Sequence, residues 1–203
     1  MSPHEEKVFK LVVKVGGSLL TRPGLGPAIA EWLDRRLAGQ PAAQVNLIVG
    51  GGAMIDAFRQ LDAVHGLDPV SLHWQCVAAL RHTGEIVASL VPNCSIIGSQ
   101  ASFNSHRQST TAVGRFAILP DAFYHRDSGD CLPCDWQATS DSIAALLAQK
   151  IDADQLVLLK SCNIPENIDL REAARRGIVD PLLPTMIDPH RVEVIELRWT
   201  EPK

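Results

Sequence analysis

Apolar runs and amphipathic segments alternate from the start of the chain. The apolar run 8–15 stops at a glycine pair and precedes a helical pattern over about 27–38. A second apolar run, 45–49, stops at a glycine triplet, and apolar residues then recur at helical spacing up to Gly66, at Ile55, Phe58, Leu61 and Val64. A strand, a glycine loop and a helix therefore occur twice in succession. This alternation predicts an α/β fold with a mainly parallel sheet covered by helices.

The rest of the chain continues the alternation. A long helix is expected over 68–91, with Pro69 near its start and Ser71 as a candidate cap. The other predicted elements are a strand over 94–98, a mostly loop segment over 99–114, a strand over 115–120, a helix capped by Thr139 or Ser140, a strand over 155–160, a helix over 169–177 and a strand over 191–199. No linker-like change in composition divides the chain, so residues 1–203 are predicted to form a single domain.

The composition is that of an ordinary globular protein. The chain has 203 residues, of which 46% are hydrophobic and 21% charged. A net charge of −4 without a block of lysines and arginines argues against a nucleic-acid surface. The first ten residues are polar and acidic, and no apolar run has the length of a membrane span. We therefore expect a cytoplasmic protein with neither nucleic-acid nor membrane partners.

The cysteines do not indicate a disulfide framework, because there are five of them in a chain of this length. Cys131 and Cys134 form a CxxC pair around a Leu-Pro dipeptide. A zinc or redox site needs further partners, and the sequence has no second CxxC and no ordered histidine pair nearby. Two loop thiols beside a proline are the simpler interpretation, and no metal site is predicted.

Glycines and lysines that suit phosphate binding fall at predicted strand ends. The glycine loops after the first two strands comprise Gly16, Gly17 and Ser18, and Gly50, Gly51 and Gly52. Lys14 interrupts the first apolar run, and Lys160 closes the strand over 155–160. Glycines let the backbone approach a ligand closely, and successive N–H groups can cradle phosphate oxygens. Ligands of open parallel sheets bind outside the carboxyl ends of the strands, where these residues are expected to meet.

Asp141 is an acid placed directly before an apolar helical run. A carboxylate between Lys14 and Lys160 would hold both ammonium groups toward a transferring phosphoryl group, a reaction that depends on positioning and charge neutralisation. Each feature also has a simpler explanation: a strand-end lysine reaching solvent, a tight glycine turn, or an acid favoured by a helix dipole. Their joint placement at successive strand ends favours phosphoryl transfer.

The ordered motifs resemble those of one enzyme superfamily. Neither glycine loop fits a P-loop or a dinucleotide fingerprint, which disfavours a P-loop enzyme or a Rossmann dehydrogenase. Instead KVGGSLL, LIVGGGAMID and TSDSIAALLA resemble, in this order, the motifs of the amino acid kinase superfamily, over a stretch from about Lys10 to Pro181. SLHWQCVAAL and DWQATSDSIAALLA are also similar to a small subgroup that includes the aminomethylfuran phosphate kinase of methanofuran biosynthesis and related proteins of one-carbon metabolism.

The resemblance implies a three-layer αβα sandwich and an ATP-dependent kinase for a small phosphorylated or carboxylated metabolite. Lys14 would contact the transferring phosphate beside the backbone of residues 16–18, and residues 50–52 would line the acceptor side. Asp141 would organise the lysines, and Mg²⁺ would ride on the ATP phosphates. Family members often assemble through long helices such as 68–91, so a homo-oligomer is expected.

The chain also departs from the family pattern. Where family members often carry Val-Asp-Gly, this chain has Asn163 and Ile164 in place of the acid and the glycine. No late lysine matches the second catalytic lysine of the acetylglutamate kinases, and Lys160 is the candidate for that role. A non-catalytic member that has lost nucleotide chemistry is therefore the second hypothesis. The third is a thiol- or zinc-dependent protein built on Cys131 and Cys134.

Several ring-bearing and cationic side chains have two explanations each. His73 and Trp74 either contact substrate or pack in the core. Trp136 either stacks on a substrate ring or anchors the loop before the Asp141 helix. His106 and Arg107 fall in the segment predicted to be irregular, where solvated side chains are expected in preference to a lid.

Overall fold

A sheet of six parallel strands forms the centre of the protein in the computed structural model, which describes residues 8–40, 42–130 and 132–200. The strands are β1 Phe9–Val15, β2 Ala43–Val49, β3 Cys94–Ile97, β4 Gly114–Ile118, β5 Gln155–Lys160 and β6 Val192–Glu196. They are ordered β3-β4-β2-β1-β5-β6, and each neighbouring pair is parallel. The predicted parallel α/β sheet is thereby confirmed.

Helices cover both faces of the sheet. They are α1 Leu25–Arg36, α2 Ala53–His65, α3 Pro69–Leu90, α4 Gln100–Gln108, α5 Ser140–Lys150, α6 Leu170–Arg175 and α7 Leu183–Met186. Successive strand residues point to opposite faces, so Val12 packs in the apolar cluster that contains Ile143 of α5, whereas Val13 packs with Ile29 of α1. The two clusters lie on opposite sides of the sheet, as the predicted three-layer αβα sandwich requires.

The centre of the sheet brings three strand ends to one edge. β1 lies between β2 and β5, with Lys14 in register with Ile48 and Leu158. The Gly50 N–H donates to the Val15 carbonyl at 2.9 Å, and the Gly16 N–H donates to the Leu159 carbonyl at 2.8 Å. The loop after β2 therefore leaves the sheet beside the end of β1, and the loop after β1 leaves it beside the end of β5, where Lys160 stands.

The long helix α3 is confirmed, but its cap is not the predicted one. The Asp68 carboxylate accepts from the Ser71 N–H at 2.8 Å, so Asp68 is the N-cap and Ser71 lies in the first turn. Pro69 occupies the first helical position, where its missing N–H breaks no helical bond. Gly84 does not interrupt the helix, and an added Cβ there would lie only 2.7 Å from the Leu119 side chain, so the glycine lets α3 pack closely against Leu119.

The prediction of a mostly irregular segment over 99–114 was wrong. Residues 100–108 form α4, which begins at a capping box in which Ser99 and Ser102 exchange side-chain and backbone hydrogen bonds. Only Phe103 and His106 of this helix are buried, so its sequence carries no apolar stripe long enough to show a period. His106 is consequently not solvated: its Nε2 lies 2.6 Å from Oδ1 of Asn46 on β2.

Other element ends also differ from the sequence predictions. The helix α1 starts and stops two residues before the predicted 27–38, and β6 is shorter than the predicted strand over 191–199. The short helix α7, which has Pro184 in its first turn, was not predicted. The helix α2 is present as predicted, yet none of its apolar residues is fully buried, and Val64 is 76% exposed. In the part of the chain that the structure describes, no helix combines the length and apolarity needed to span a membrane.

Candidate active site

A cleft of about 620 Å³ opens at the carboxyl edge of the sheet. Its floor contains Lys14 and Lys160, which leave the sheet from the adjacent strands β1 and β5. Its walls contain the two glycine loops, the first turn of α5 with Asp141, and the segment 177–181 that precedes α7. This is the edge at which open parallel sheets bind ligands.

One carboxylate joins the two lysines. The Lys14 Nζ lies 2.8 Å from Oδ1 of Asp141, and the Lys160 Nζ lies 2.7 Å from Oδ2 of the same residue. Lys14 is 5% exposed, Asp141 3% exposed and the Lys160 side chain 12% exposed, so all three charges lie largely shielded from solvent at the bottom of the cleft. Lys14 is on the same strand face as Val12 and so points to the side covered by α5. The structure brings together the three residues that the sequence singled out.

The charges of the trio change its acid–base properties. Burial acts to raise the pKa of Asp141, but the charges and hydrogen bonds of Lys14 and Lys160 outweigh burial and lower that pKa to about 2. Burial and the charge of Lys14 lower the pKa of Lys160, while Asp141 opposes this change. Asp141 therefore stays ionised at neutral pH, and two ammonium groups share its single negative charge.

The two glycine loops interlock so tightly that no side chain fits between them. A Cβ on Gly17 would overlap the backbone nitrogen of Gly52 and lie 2.7 Å from its Cα. A Cβ on Gly50 would lie 2.9 Å from the Gly17 nitrogen, and Gly52 has a φ of +52°. The helix α2 starts immediately after the triplet, so the positive end of its dipole faces the cleft.

The other glycine-loop residues divide between packing and the cleft. Gly16 packs against β5, where an added Cβ would lie 2.7 Å from the Leu159 carbonyl oxygen. Ser18 lines the cleft, and its hydroxyl lies 2.6 Å from the hydroxyl of Ser161. This contact joins the loop after β1 to the residue that follows Lys160. Gly51 also lines the cleft, where a Cβ would meet Ile55.

The far side of the cleft is apolar and aromatic. Ile55, Val77 and Leu80 line it together with His73 and Trp136. The His73 Nε2 lies 2.8 Å from the Tyr124 hydroxyl, and burial lowers the pKa of this histidine, so it is neutral at pH 7. His73 is thus a buried residue that also lines the cleft, so its packing in the core is confirmed, whereas its contact with substrate stays a prediction. Trp74 packs against the core cluster.

Trp136 attaches the loop before α5 to α2. Its indole N–H donates to Oδ2 of Asp62 at 2.9 Å, and the guanidinium of Arg59 lies 4.8 Å from the ring centroid. Because Asp62 and Arg59 both belong to α2, Trp136 anchors this loop, and its ring still forms part of the cleft wall. Arg59 also pairs with Asp56 at 3.0 Å, which places one cation and one anion at the apolar end.

Sequence reasoning missed Asp180, which lines the cleft and is only 5% exposed. Its backbone N–H donates to Oδ2 of Asp141 at 3.2 Å. The available signal was a charged residue inside the otherwise apolar stretch Ile178-Val179-Asp180-Pro181-Leu182. Such a residue needs buried partners, and the structure supplies them from the start of α5.

The departures from the family pattern lie in the loop that follows β5. Asn163 follows β5 in an exposed loop, where its Oδ1 accepts from Arg198 at 3.3 Å.

Cys131 lies outside the described residues, and Cys134 is half-buried in the loop that contains Trp136. Within residues 8–40, 42–130 and 132–200, no three His, Cys, Asp or Glu side chains are grouped to hold a metal ion.

Comparisons with known proteins agree with this geometry. The uridylate kinase of Halorubrum lacusprofundi is 26% identical over 160 residues, which are 76% of this chain and 59% of that protein. The match therefore spans less than two thirds of that relative. The solved uridylate kinase of Archaeoglobus fulgidus has a TM-score of 0.62 and 17% identity, over 95% of this chain and 92% of its own. The UMP kinase of Ureaplasma parvum has a TM-score of 0.63 and 13% identity, over 94% and 91%.

At these identities the solved structures establish the fold. The family itself follows from a separate match, in which the model of the amino acid kinase family covers residues 9–163. This range includes both glycine loops and the trio of Lys14, Asp141 and Lys160. Because the match extends over more than half of the sequence, the chain belongs to the amino acid kinase family.

Proposed function

We propose that this protein is an ATP-dependent small-molecule kinase that transfers the γ-phosphoryl group to a phosphate or carboxylate of its acceptor. The observation that carries the proposal is the buried trio of Lys14, Asp141 and Lys160 beside two interlocked glycine loops. Phosphoryl transfer requires little covalent chemistry from the protein, and consists mainly of positioning and charge neutralisation. The trio and the loops offer these two functions.

Each group of the site has a role in an in-line transfer without a covalent protein intermediate. The Lys14 ammonium would contact the transferring phosphoryl group, and Lys160 would neutralise charge from the adjacent strand. Asp141 would act as a positioning residue, because both its oxygens face ammonium groups. Gly17 and Ser18 would bring backbone against the phosphates, and residues 50–52 would approach the acceptor.

The residues present fit a magnesium nucleotide. Two ammonium groups facing one carboxylate leave an excess positive charge, and the start of α2 adds the positive end of a helix dipole. Mg²⁺ is commonly bound through nucleotide phosphates with few protein ligands, and it would supply further neutralisation of the phosphate charge. The protein's own residues would orient the phosphates and exclude water from the bottom of the cleft.

The acceptor is proposed to be a compact phosphate or carboxylate with an apolar or ring-bearing part. Ile55, Val77 and Leu80 give the far side of the cleft an apolar surface, and Trp136 gives it an aromatic one. The relatives named above are uridylate or UMP kinases, so UMP is one acceptor to test. The resemblance of SLHWQCVAAL and DWQATSDSIAALLA to the methanofuran-related subgroup makes aminomethylfuran phosphate, in one-carbon cofactor biosynthesis, the finer proposal.

Calorimetric titration with Mg-ATP and Mg-ADP tests the nucleotide site first. We expect micromolar binding to the wild type and loss of binding in Lys14→Ala. The control is Lys150→Ala, because Lys150 pairs with Asp130 away from the cleft at 2.9 Å and should not affect affinity. Phosphorus NMR with UMP, aminomethylfuran phosphate and other small phosphate esters then identifies the acceptor by the new phosphate resonance.

A non-catalytic family member is the second candidate, and the loop after β5 is the observation that favours it. Asn163 and Ile164 stand where family members often have an acid and a glycine, and Asn163 contacts Arg198 instead of the cleft. A folded wild type that binds no nucleotide at millimolar concentration would refute the kinase and favour this candidate.

A homo-oligomer, a single domain and a cytoplasmic location remain predictions, as does a small-molecule acceptor.

A further inference from the structure

The carboxylate of Asp180 is the most heavily hydrogen-bonded side chain near the cleft. Its Oδ2 accepts from the Thr139 N–H at 2.9 Å, the Thr139 hydroxyl at 3.0 Å and the Ser142 N–H at 2.9 Å. Its Oδ1 accepts from the Ser142 hydroxyl at 2.7 Å and the Leu183 N–H at 2.9 Å. All five partners are donors, and the carboxylate is nearly inaccessible to solvent.

These bonds surround Asp141. Thr139 is the N-cap of α5 and Ser142 lies in its first turn, so the carboxylate of Asp180 holds the chain on both sides of Asp141. The Asp180 backbone N–H also donates directly to Oδ2 of Asp141, the oxygen that accepts from Lys160. The direction of the Asp141 side chain is thus set by Asp180 in two ways.

We propose that Asp180 is a positioning residue for phosphoryl transfer, which holds Asp141 so that each of its oxygens faces one of the two lysines. The role in transfer depends on the proposed function, whereas the clamp on the first turn of α5 does not. Without the clamp, Asp141 could turn and satisfy one ammonium at the expense of the other. Misplacement of a positioning group by as little as 1 Å can lower a reaction rate about a hundredfold.

An amide cannot replace this carboxylate. An ionised carboxylate only accepts hydrogen bonds, which suits five donors, whereas an asparagine would turn an NH₂ group toward some of them. With its nitrogen at the Oδ1 position, asparagine would leave the Leu183 N–H without its acceptor and would lose the bond from the Ser142 hydroxyl unless that hydroxyl rotates. With its nitrogen at the Oδ2 position, it would face two backbone N–H groups.

The charge of Asp180 also acts on the trio, so the pKa of Lys160 reports on this residue. Lys160 is faced by Lys14 from β1, by Asp141 from α5 and by Asp180 from the segment before α7. Burial and Lys14 lower the pKa of Lys160, while the charges of Asp141 and Asp180 oppose this. Removing the charge of Asp180 should therefore lower the pKa of Lys160 further.

The experiment compares Asp180→Asn with the double variant Thr139→Val/Ser142→Ala, which removes two hydroxyl donors but keeps the charge. The side-chain amines are titrated by NMR in protein labelled at lysine, and Lys160→Met assigns the Lys160 signal among the six lysines of the chain. Mg-ATP affinity is measured on the same samples by calorimetry. In Asp180→Asn we expect a downward shift of the Lys160 midpoint and about tenfold weaker Mg-ATP binding.

The double variant keeps the charge of Asp180, so we expect weaker Mg-ATP binding and a downward shift of the Lys160 midpoint that is smaller than in Asp180→Asn, because only the loosened Asp141 contributes to it. Wild-type affinity in this variant overturns the clamp, even if Asp180→Asn does not fold. An unchanged midpoint and affinity in folded Asp180→Asn overturns it as well. If the wild type binds no Mg-ATP, the proposed function fails, and the Lys160 titration still decides whether Asp180 acts on the trio.

Discussion

Replacing Asp141 by asparagine tests the central electrostatic feature of the site. The substitution keeps the size of the side chain but removes the negative charge between the ammonium groups of Lys14 and Lys160. Two buried cations would then face each other without a counter-charge. Removing one partner of a buried ion pair typically costs about 3–5 kcal/mol, because the remaining charge stays desolvated.

The magnitude can be worked out from the pKa of Asp141. Gross attraction in each pair at 2.7–2.8 Å is about 6 kcal/mol at an effective dielectric constant of about 20. Burial opposes this attraction, and the net result is a pKa that falls from 3.8 to about 2. A fall of nearly two units at about 1.4 kcal/mol per unit is about 2 kcal/mol in favour of the charged form. Asparagine approximates the neutral acid, so Asp141→Asn should lower the free energy of unfolding by about 2 to 4 kcal/mol.

Urea denaturation at pH 7 measures this loss, with equal m-values as the check that both proteins unfold in the same way. Lys160→Met is the second side of a double-mutant cycle. Because it removes one of the two uncompensated cations, the double variant should be destabilised by at least about 1 kcal/mol less than the sum of the single variants. A loss below about 1 kcal/mol in Asp141→Asn, or strict additivity in the cycle, would refute the argument that the carboxylate holds both charges.

The direction of the pH dependence follows from the same pKa. The folded-state pKa of Asp141 lies below the ordinary value, so its stabilising contribution is complete above about pH 4 and is lost as the pH falls toward 2. The difference in stability between the wild type and Asp141→Asn should therefore narrow over this interval. If the difference in stability between the two proteins stays constant down to pH 2.5, the stability lost in Asp141→Asn comes from packing and not from the charge.

Three further predictions concern other parts of the site and core. Because burial lowers the pKa of Lys160 below its ordinary value of 10.5, Mg-ATP affinity measured by calorimetry should already fall as the pH rises toward 10.5, whereas Lys160→Met should bind weakly with little pH dependence. Gly17→Ala should lower the free energy of unfolding in urea by at least about 2 kcal/mol because its Cβ overlaps Gly52, against about 1 kcal/mol for Gly66→Ala, where no atom lies within 4 Å. Burial lowers the pKa of His106, so the unfolded state takes up its proton first and stability should fall as the pH drops below 6.5. His106→Gln should reduce this fall between pH 7.5 and 5.5, and an equal fall in both proteins would contradict the assignment.

The sequence predicted most of the sheet because its strands carry strong local signals. The strands β1, β2 and β5 are apolar runs bounded by glycine or lysine, and in a parallel sheet their carboxyl ends must share one edge. The meeting of Lys14, Lys160 and the glycine loops follows from topology alone. To predict the position of Asp141, only one further assumption was needed, namely that its helix starts on the face of the sheet to which Lys14 points.

What the sequence did not reveal depends on contacts between distant segments. The helix α4 buries just Phe103 and His106, and its start is fixed by serines whose pairing shows only in three dimensions. Asp180 is 39 residues from Asp141, and its importance comes from donors on α5 that no local pattern connects to it. The exposure of the apolar residues of α2 could likewise not be predicted, because periodicity identifies a helix but does not show which segment covers its apolar face.

The balance of charge explains why a lysine can interrupt the apolar strand β1. The buried trio carries one net positive charge, from Lys14, Lys160 and Asp141. The neighbouring carboxylate of Asp180 offsets this charge, and its oxygens accept hydrogen bonds from α5 and α7. The buried groups are therefore close to neutral as a set, which makes their desolvation tolerable in the absence of a ligand. Asp180 is turned toward the helix starts, however, so the charge that faces the cleft is cationic. A phosphate at the end of β1 would meet two ammonium groups that Asp141 already holds in place, and such preorganisation is what phosphoryl transfer requires.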